Sequence, residues 1–120
     1  MKITIHTEGW FDAAHHLEGH GGPCANLHGH TYKLEIWVRG DETQLNKTGI
    51  LWDFGYLKTL IMIFDHKGDL TEIMGKNSTA ENQVLSIYRS LLSAFPSLQF
   101  KVRVYEQIQP KESWAEVGDF

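Results

Sequence analysis

Residues 24–39 read CANLHGHTYKLEIWVR, and the second half of this stretch alternates between apolar and polar residues. A period of two is typical of a β-strand with one buried face. The apolar positions are Tyr32, Leu34, Ile36 and Val38. Extended backwards, the same parity places His28 and His30 on the apolar face. Because two residues along a strand span roughly 6.6 Å, both imidazoles can approach one metal ion, and zinc is the ion we expect.

The composition limits the class of protein. A chain of 120 residues with 42% hydrophobic residues predicts one globular domain over residues 1–120. A net charge of −4 without a Lys/Arg cluster argues against nucleic acid as a partner and against a polybasic membrane patch. The single cysteine, Cys24, cannot form an internal disulfide, and no segment approaches the roughly 18 apolar residues of a membrane span. We therefore expect a cytoplasmic protein.

The alternation of residues in the first segment predicts a strand over about residues 2–16, in which Gly9 is a candidate for a β-bulge. One parity carries Ile3, Ile5, Phe11, Ala13 and His15. His15 therefore shares the apolar face. A Gly-rich loop follows before the strand of His28 and His30, and the polar residues 40–49 indicate a hairpin connection.

Two helices and a third strand complete the pattern. Asp53 is placed to cap a helix that ends near residues 65–68 and has the apolar positions Phe54, Leu57, Leu60, Ile61 and Phe64. Residues 78–81 read STAE, a capping-box pattern, and precede a stripe of Val84, Leu85, Tyr88, Leu91, Leu92 and Phe95 that Pro96 ends. The last alternating segment runs from Leu98 to Glu106, and an extra strand is expected at Ile50 or in the tail.

Three histidines are thus predicted on the apolar faces of neighbouring strands, namely His15, His28 and His30. Three neutral imidazoles leave a fourth tetrahedral position open, which is the arrangement of catalytic zinc. A single histidine at such a position is more often a hydrogen-bonded structural residue. The matching parity of all three favours a zinc site.

Other side chains in the pattern also carry chemistry. Cys24 lies in the loop four residues before His28, where it is either a fourth ligand that closes the metal site or a general base. Asp65 and His66 follow the first helix, and a histidine there serves either the helix dipole or catalysis. Glu106 ends an apolar row, so its carboxylate needs a partner such as a heterocycle edge with several N–H donors.

These motifs together resemble the 6-pyruvoyl-tetrahydropterin synthase / 6-carboxy-tetrahydropterin synthase family. The matching pieces are Phe11-x-Ala13-Ala14-His15-x-Leu17, Cys24-x-x-x-His28-Gly29-His30-x-Tyr32, Asp53-Phe54-x-x-Leu57-Lys58, Asp65-His66, Thr79-Ala80-Glu81-Asn82 and Val104-Tyr105-Glu106. The three residues between Cys24 and His28 resemble the bacterial queuosine-pathway branch. The chain departs from the family pattern after His66, where Gly68 looks like an insertion.

The resemblance implies an α+β two-layer tunnelling fold (T-fold), in which an antiparallel sheet carries a helix pair on one face. Such chains oligomerise into a barrel, typically as trimers stacked into hexamers, with the active site between subunits. An oligomer would also cover open sheet edges and the tryptophans Trp10, Trp37, Trp52 and Trp114.

The resemblance also implies an activity and residue roles. The implied reaction is the zinc-dependent conversion of 7,8-dihydroneopterin triphosphate to 6-carboxy-5,6,7,8-tetrahydropterin, acetaldehyde and triphosphate. The implied roles are zinc binding by His15, His28 and His30, general-base catalysis by Cys24, a proton relay of Asp65 and His66, and binding of the pterin edge by Glu106.

Two alternatives and one question stay open at the level of sequence. A 6-pyruvoyl-tetrahydropterin synthase would eliminate triphosphate and keep the carbon side chain. A non-catalytic, zinc-stabilised pterin-binding oligomer would use Cys24 to close the metal site. The candidates for contact with the triphosphate are Lys33, Arg39, Lys58 and Lys67.

Overall fold

The computed structural model describes residues 1–120 and contains a four-stranded antiparallel sheet in the order β1-β2-β3-β4. The strands are β1 (Lys2–His15), β2 (His28–Asp41), β3 (Gln99–Gln107) and β4 (Ser113–Gly118). The helices are α1 (Tyr56–Phe64), α2 (Leu70–Met74) and α3 (Ala80–Ala94), and short 3-10 turns span Pro23–Ala25 and Glu42–Gln44. The helices pack on one face of the sheet, with α1 against β1 and α3 against β3 and β4. The predicted two-layer α+β fold is confirmed.

The alternation seen in the sequence builds one core between the sheet and the helices. Its 19 buried residues include Phe11 of β1, the β2 row from Tyr32 to Val38, and Phe100, Val102 and Val104 of β3. The helices contribute Leu57, Leu60, Phe64, Val84, Ile87 and Leu91. Removal of this apolar surface from water is the main force that holds the two layers together.

The pairing of β1 with β2 runs without interruption from Lys2 opposite Asp41 to His15 opposite His28. The expected bulge at Gly9 was therefore wrong. A Cβ atom at this position would lie 2.5 Å from Cδ1 of Ile61 and 3.2 Å from Cδ2 of Leu57. The glycine is explained by the close approach of α1 to the sheet.

The first helix begins later than predicted. The Asp53 carboxylate accepts the N–H of Gly55 at 2.8 Å and so stabilises a turn that precedes α1. The helix itself starts at Tyr56, and Phe54 is more than half exposed. The aspartate thus organises the entry to α1 without capping it, because its local turn competes with the helical conformation.

The cap of the second predicted helix also differs by one residue. Thr79 is the N-cap of α3, and its hydroxyl accepts the N–H of Asn82 at 3.1 Å. Ser78, the expected capping residue, is fully buried. The apolar stripe is confirmed at Val84 and Leu91.

Two connections differ from the sequence-based expectation. Residues 40–49 do not form a hairpin, since β2 continues to Asp41 and the chain then passes into α1. The extra strand lies in the tail, as β4, and not at Ile50. The short helix α2 was not predicted, because five residues are too few to establish a helical period.

The face of the sheet without helices is rich in charge and aromatic rings. Glu35 is buried there, although its side chain is charged, and its carboxylate meets Nε2 of His6 at 2.9 Å and Nζ of Lys33 at 3.4 Å. Burial opposes ionisation, yet Tyr105, His6 and Lys33 together lower the pKa of Glu35. Trp10 and Trp114 are about half exposed on this face.

Trp52 corrects the expectation of four surface tryptophans, because it is 3% exposed and belongs to the core. Its ring packs edge-on against Tyr56 and Phe95. No helix is both long and apolar enough to cross a bilayer.

Gly40 offers a test of the packing between β2 and the neighbouring loops. A Cβ atom there would lie 2.7 Å from Cδ1 of Leu51 and 2.9 Å from Cδ2 of Leu98. We expect Gly40→Ala to reduce the free energy of unfolding by about 1–3 kcal/mol, because both neighbours are held in the packed layer. Gly68→Ala is the matched control, since no atom lies within 4 Å of its added methyl group. Equal midpoints of urea unfolding for both variants would contradict the packing described.

Candidate metal and active site

The register of β1 and β2 brings three imidazoles together. His15 lies directly opposite His28, and Ala13 lies opposite His30, so the third ring is one step along the same face. The ring centroids are separated by 4.6 Å for His15 and His28, 5.0 Å for His15 and His30, and 4.8 Å for His28 and His30. The three rings form a nearly equilateral triangle at the end of the sheet.

Hydrogen bonds determine which nitrogen of two rings carries the proton. Nδ1 of His15 lies 3.0 Å from the carbonyl oxygen of Ser78, and Nδ1 of His28 lies 2.7 Å from that of Asn26. A carbonyl only accepts, so both Nδ1 atoms donate and both neutral rings present a lone pair at Nε2. These two Nε2 atoms are 3.0 Å apart.

Two facing lone pairs repel unless a cation lies between them. Zinc–nitrogen bonds of 2.0–2.1 Å in a tetrahedral site would separate two imidazole nitrogens by roughly 3.3 Å, close to the observed spacing. Nε2 of His30 is also buried without a hydrogen-bond partner. The residues therefore fit a zinc ion.

Glu106 adds a carboxylate to the group. Its Oε1 lies 3.2 Å from Nε2 of His30, a close contact that lacks the alignment of a hydrogen bond. One ligand atom from each of His15, His28, His30 and Glu106 lies within 4.8 Å of the others. Three imidazoles and one carboxylate are a donor set that zinc accepts, and a carboxylate that stays off the metal leaves the fourth position open.

A β-bulge places Glu106 at the end of β3. Tyr105 pairs with Trp114 and Gln107 pairs with Ser113, so Glu106 is the additional residue on β3. Bulges bend a strand and redirect a side chain, and they are common beside active sites. The bulge explains how a carboxylate reaches the histidines of the neighbouring strand.

Burial favours the neutral form of His15 and His30, which is the form that binds metal. Desolvation lowers the pKa of His15, although the bond to Ser78 acts in the opposite direction. Desolvation also lowers the pKa of His30, against the attraction of Glu106. In contrast, hydrogen bonds to Asp69 and Glu18 raise the pKa of His16, whose side chain lies off the metal face. Only the neutral imidazole can donate a lone pair to a metal.

A hollow of about 620 Å³ adjoins the histidines. Pairing between β2 and β3 begins at Lys33 opposite Tyr105, so the first residues of β2 face open space on that side. The lining residues are Trp10, Gly29, His30, Thr31, Glu106, Gln107, Ile108 and Gln109. The volume is within the range of small-molecule sites.

His66, which follows Asp65, lines a second hollow of about 450 Å³ that shares His30 with the first. Oδ1 of Asp65 accepts the N–H of Asp12 at 3.0 Å, and Oδ2 lies 3.5 Å from Nε2 of His66. The His66 side chain is exposed, and its φ of 58° directs the chain toward α2. The pair is therefore anchored to β1 but lies outside the group of ligand atoms.

Cys24 lies apart from the ligand group, that is, the candidate metal-binding atoms of His15, His28, His30 and Glu106. It is half-buried in the turn Pro23–Ala25, where its carbonyl oxygen accepts the N–H of Leu17 at 2.8 Å. The group of atoms within 4.8 Å of one another does not include its Sγ.

The four basic candidates differ in their surroundings. Lys33 is paired with Glu8 at 3.1 Å and with Glu35, and Arg39 donates to Thr4 at 3.0 Å. Lys58 is exposed on α1, and Lys67 is exposed at the hollow of His30 and His66 without a carboxylate partner.

Sequence reasoning missed the residues around His15, namely Thr71, Ser78 and Gln83. Ser78 was explained as a helix cap, which hid its contact with the histidine. Gln83 could have been noticed as a polar residue next to Val84 on the buried side of α3.

The chain belongs to the 6-pyruvoyl tetrahydropterin synthase family, whose model matches residues 4–118. A 6-carboxy-5,6,7,8-tetrahydropterin synthase of Haemophilus influenzae is 35% identical to this chain. The alignment covers 87% of this chain and 75% of the relative. A protein of the same name from Rickettsia bellii is 28% identical, and that alignment covers 98% of this chain and 99% of the relative.

Solved structures of the family share the fold. The 6-pyruvoyl tetrahydropterin synthase of Caenorhabditis elegans superposes with a TM-score of 0.75 at 24% identity, over 100% of this chain and 97% of that one. The Plasmodium vivax enzyme gives a TM-score of 0.65 at 17% identity, with 99% of each chain covered.

The opposite environments of neighbouring histidines can be measured in the metal-free protein. We expect His15 and His30 to titrate below the ordinary histidine value of about 6.5 and His16 above it, because burial acts on the first two and carboxylates act on the third. The measurement is an NMR titration of the imidazole carbon-bound protons. A pKa of His15 above that of His16 would contradict this picture.

Proposed function

We propose that this protein is a zinc-dependent carbon–carbon lyase that converts 7,8-dihydroneopterin triphosphate and one water molecule to 6-carboxy-5,6,7,8-tetrahydropterin, acetaldehyde and triphosphate. The observation that carries the proposal is the triangle of His15, His28 and His30 beside a hollow of about 620 Å³ that Glu106 also lines. Three imidazoles with an open corner suit a Lewis acid, and the carboxylate suits a ligand with several N–H donors.

The choice of the 6-carboxy branch rests on two supports. The relatives from Haemophilus influenzae and Rickettsia bellii carry that name. The spacing of three residues between Cys24 and His28 also resembles the queuosine-pathway enzymes. The 6-pyruvoyl reaction remains the second candidate, because the solved neighbours from Caenorhabditis elegans and Plasmodium vivax carry that name.

In this proposal the three histidines hold zinc, which when bound supplies Lewis-acid stabilisation to oxygens of the substrate side chain. Glu106 binds the amino-pyrimidine edge of the pterin in the larger hollow. Cys24 acts as the general base on the side chain. Asp65 orients His66, and this pair relays a proton at the neighbouring hollow.

We also propose a homo-oligomer, assembled as a dimer of trimers with the sheets forming a barrel. Cys24 lies away from the ligand group of its own protomer, which fits a site completed between subunits. The open edges of β1 and β4 and the half-exposed Trp10 and Trp114 favour the same assembly. Lys67 is our candidate for contact with the triphosphate, and the cytoplasm is the proposed compartment.

The reaction is tested by incubating zinc-loaded protein with 7,8-dihydroneopterin triphosphate. We expect release of acetaldehyde together with a product of the mass of 6-carboxytetrahydropterin, because the proposal includes cleavage of the side chain. A product that has lost triphosphate and kept all its carbons would assign the 6-pyruvoyl reaction. Tight binding of the pterin without turnover would indicate a non-catalytic module.

Cys24→Ala separates an enzymatic thiol from a structural one. We expect the variant to keep its zinc and to lose turnover by about 10²-fold or more, since a general base contributes at least that much. Metal content and acetaldehyde release are measured on the same preparation. His20→Ala is the control, because this exposed residue lies in the same loop and its ring accepts only the N–H of Gly22. Loss of zinc from the cysteine variant alone would support the closed structural site.

A further inference from the structure

We propose that Thr71, Ser78 and Gln83 are positioning residues that hold His15 in the tautomer and orientation required for metal binding. The inference rests on the proposed function, because it assigns these residues to the zinc site. None of the three touches the hollow beside Glu106 or contributes a ligand atom to the group of four. Their effect must therefore pass through His15.

Burial singles out these side chains. The buried polar and charged residues of the protein are His15, Glu35, Thr71, Ser78 and Gln83, and all except Glu35 form one connected cluster. Placing a hydroxyl or an amide in an apolar layer costs free energy unless it is hydrogen-bonded. A cluster that collects nearly all such groups around one imidazole indicates a specific task for that imidazole.

One assignment of the hydroxyl protons is consistent with all the hydrogen bonds of the cluster. Thr71 donates its hydroxyl proton to the carbonyl oxygen of His16, which can only accept. Ser78 then donates its hydroxyl proton to Oγ1 of Thr71 at 3.1 Å, and its own oxygen is free to accept from Nδ1 of His15 at 3.0 Å. Every hydroxyl proton therefore points away from the imidazole, which must supply the N–H.

The backbone of Ser78 acts in the same direction. Its carbonyl oxygen accepts from Nδ1 of His15 at 3.0 Å and from Nε2 of the Gln83 amide at 2.9 Å. Its N–H donates to Oγ1 of Thr71 at 3.1 Å. Thr71 and Gln83 thus fix the position of Ser78 from two sides, and Ser78 fixes the ring of His15. The Nε2 lone pair is left to face His28 and the metal position.

The connection also assigns a task to α2. Thr71 stands in the first turn of this five-residue helix, whose N-cap Asp69 accepts the N–H of Thr71 at 3.1 Å. Ser78 lies in the loop between α2 and α3, and Gln83 lies in the first turns of α3. Three successive pieces of chain therefore converge on the end of β1, behind the ligand group.

The test compares zinc affinities of the full chain by competition with a chromophoric chelator. We expect Thr71→Val, an isostere without the hydroxyl, and Gln83→Leu to weaken zinc binding by about 10–100-fold, the usual effect of removing groups that orient a ligand. Thr71→Ser keeps the hydroxyl and should retain wild-type affinity. Ile87→Val, a buried change one turn further along α3, is the control for a general loss of packing.

Two results would overturn the inference while leaving the proposed function intact. One is wild-type zinc affinity in both Thr71→Val and Gln83→Leu. The other is an equal loss in Thr71→Ser and Thr71→Val, which would show that retaining the hydroxyl does not preserve zinc affinity. Failure of the wild-type protein to bind zinc would instead overturn the proposed function, and this inference with it.

A second readout does not depend on any variant being folded. Long-range ¹H–¹⁵N correlation spectra of the metal-free wild-type protein above pH 7 report which nitrogen of His15 carries the proton. We expect a protonated Nδ1 and an unprotonated Nε2. A ring protonated at Nε2 would overturn the inference whatever the variants show.

Discussion

The pairing of β1 with β2 is the constraint on which both the core and the site depend. Fourteen consecutive residue pairs join the strands, and the last of them sets His15 opposite His28. A slip of one residue would turn Leu34 and Ile36 toward the helix-free face and separate the histidines at the same time. The apolar alternation that stabilises the sheet therefore also fixes the geometry of the ligand group.

Much of the fold could be predicted because strand alternation is a local signal. The three long strands, the sides on which their residues lie, and the helices α1 and α3 all follow from spacing. What could not be predicted depends on tertiary contacts. Gly9 faces α1 instead of forming a bulge, and the turn at Asp53 delays the helix to Tyr56.

The candidate site likewise contains residues that a local pattern predicts and residues that depend on tertiary contacts. The three histidines and Glu106 could be found because each continues an apolar row, and the structure brings all four together. The bulge that directs Glu106 depends on where β4 pairs, which β3 alone does not encode. The bond between His15 and Ser78 spans 63 positions, so no local pattern marks it. Residues that orient a candidate metal ligand are therefore harder to recognise in the sequence than the ligand residue itself.

The pairing of β2 with β3 does not reach the first residues of β2, so this strand has a part paired on both sides and a part paired on one side. From Lys33 to Arg39 β2 is paired on both sides, whereas its first residues are paired with β1 alone. Amide exchange should be slow along the doubly paired part and faster toward Gly29 and Thr31. The end of β2 that carries His28 and His30 can therefore adjust without loosening the layer that keeps the chain folded.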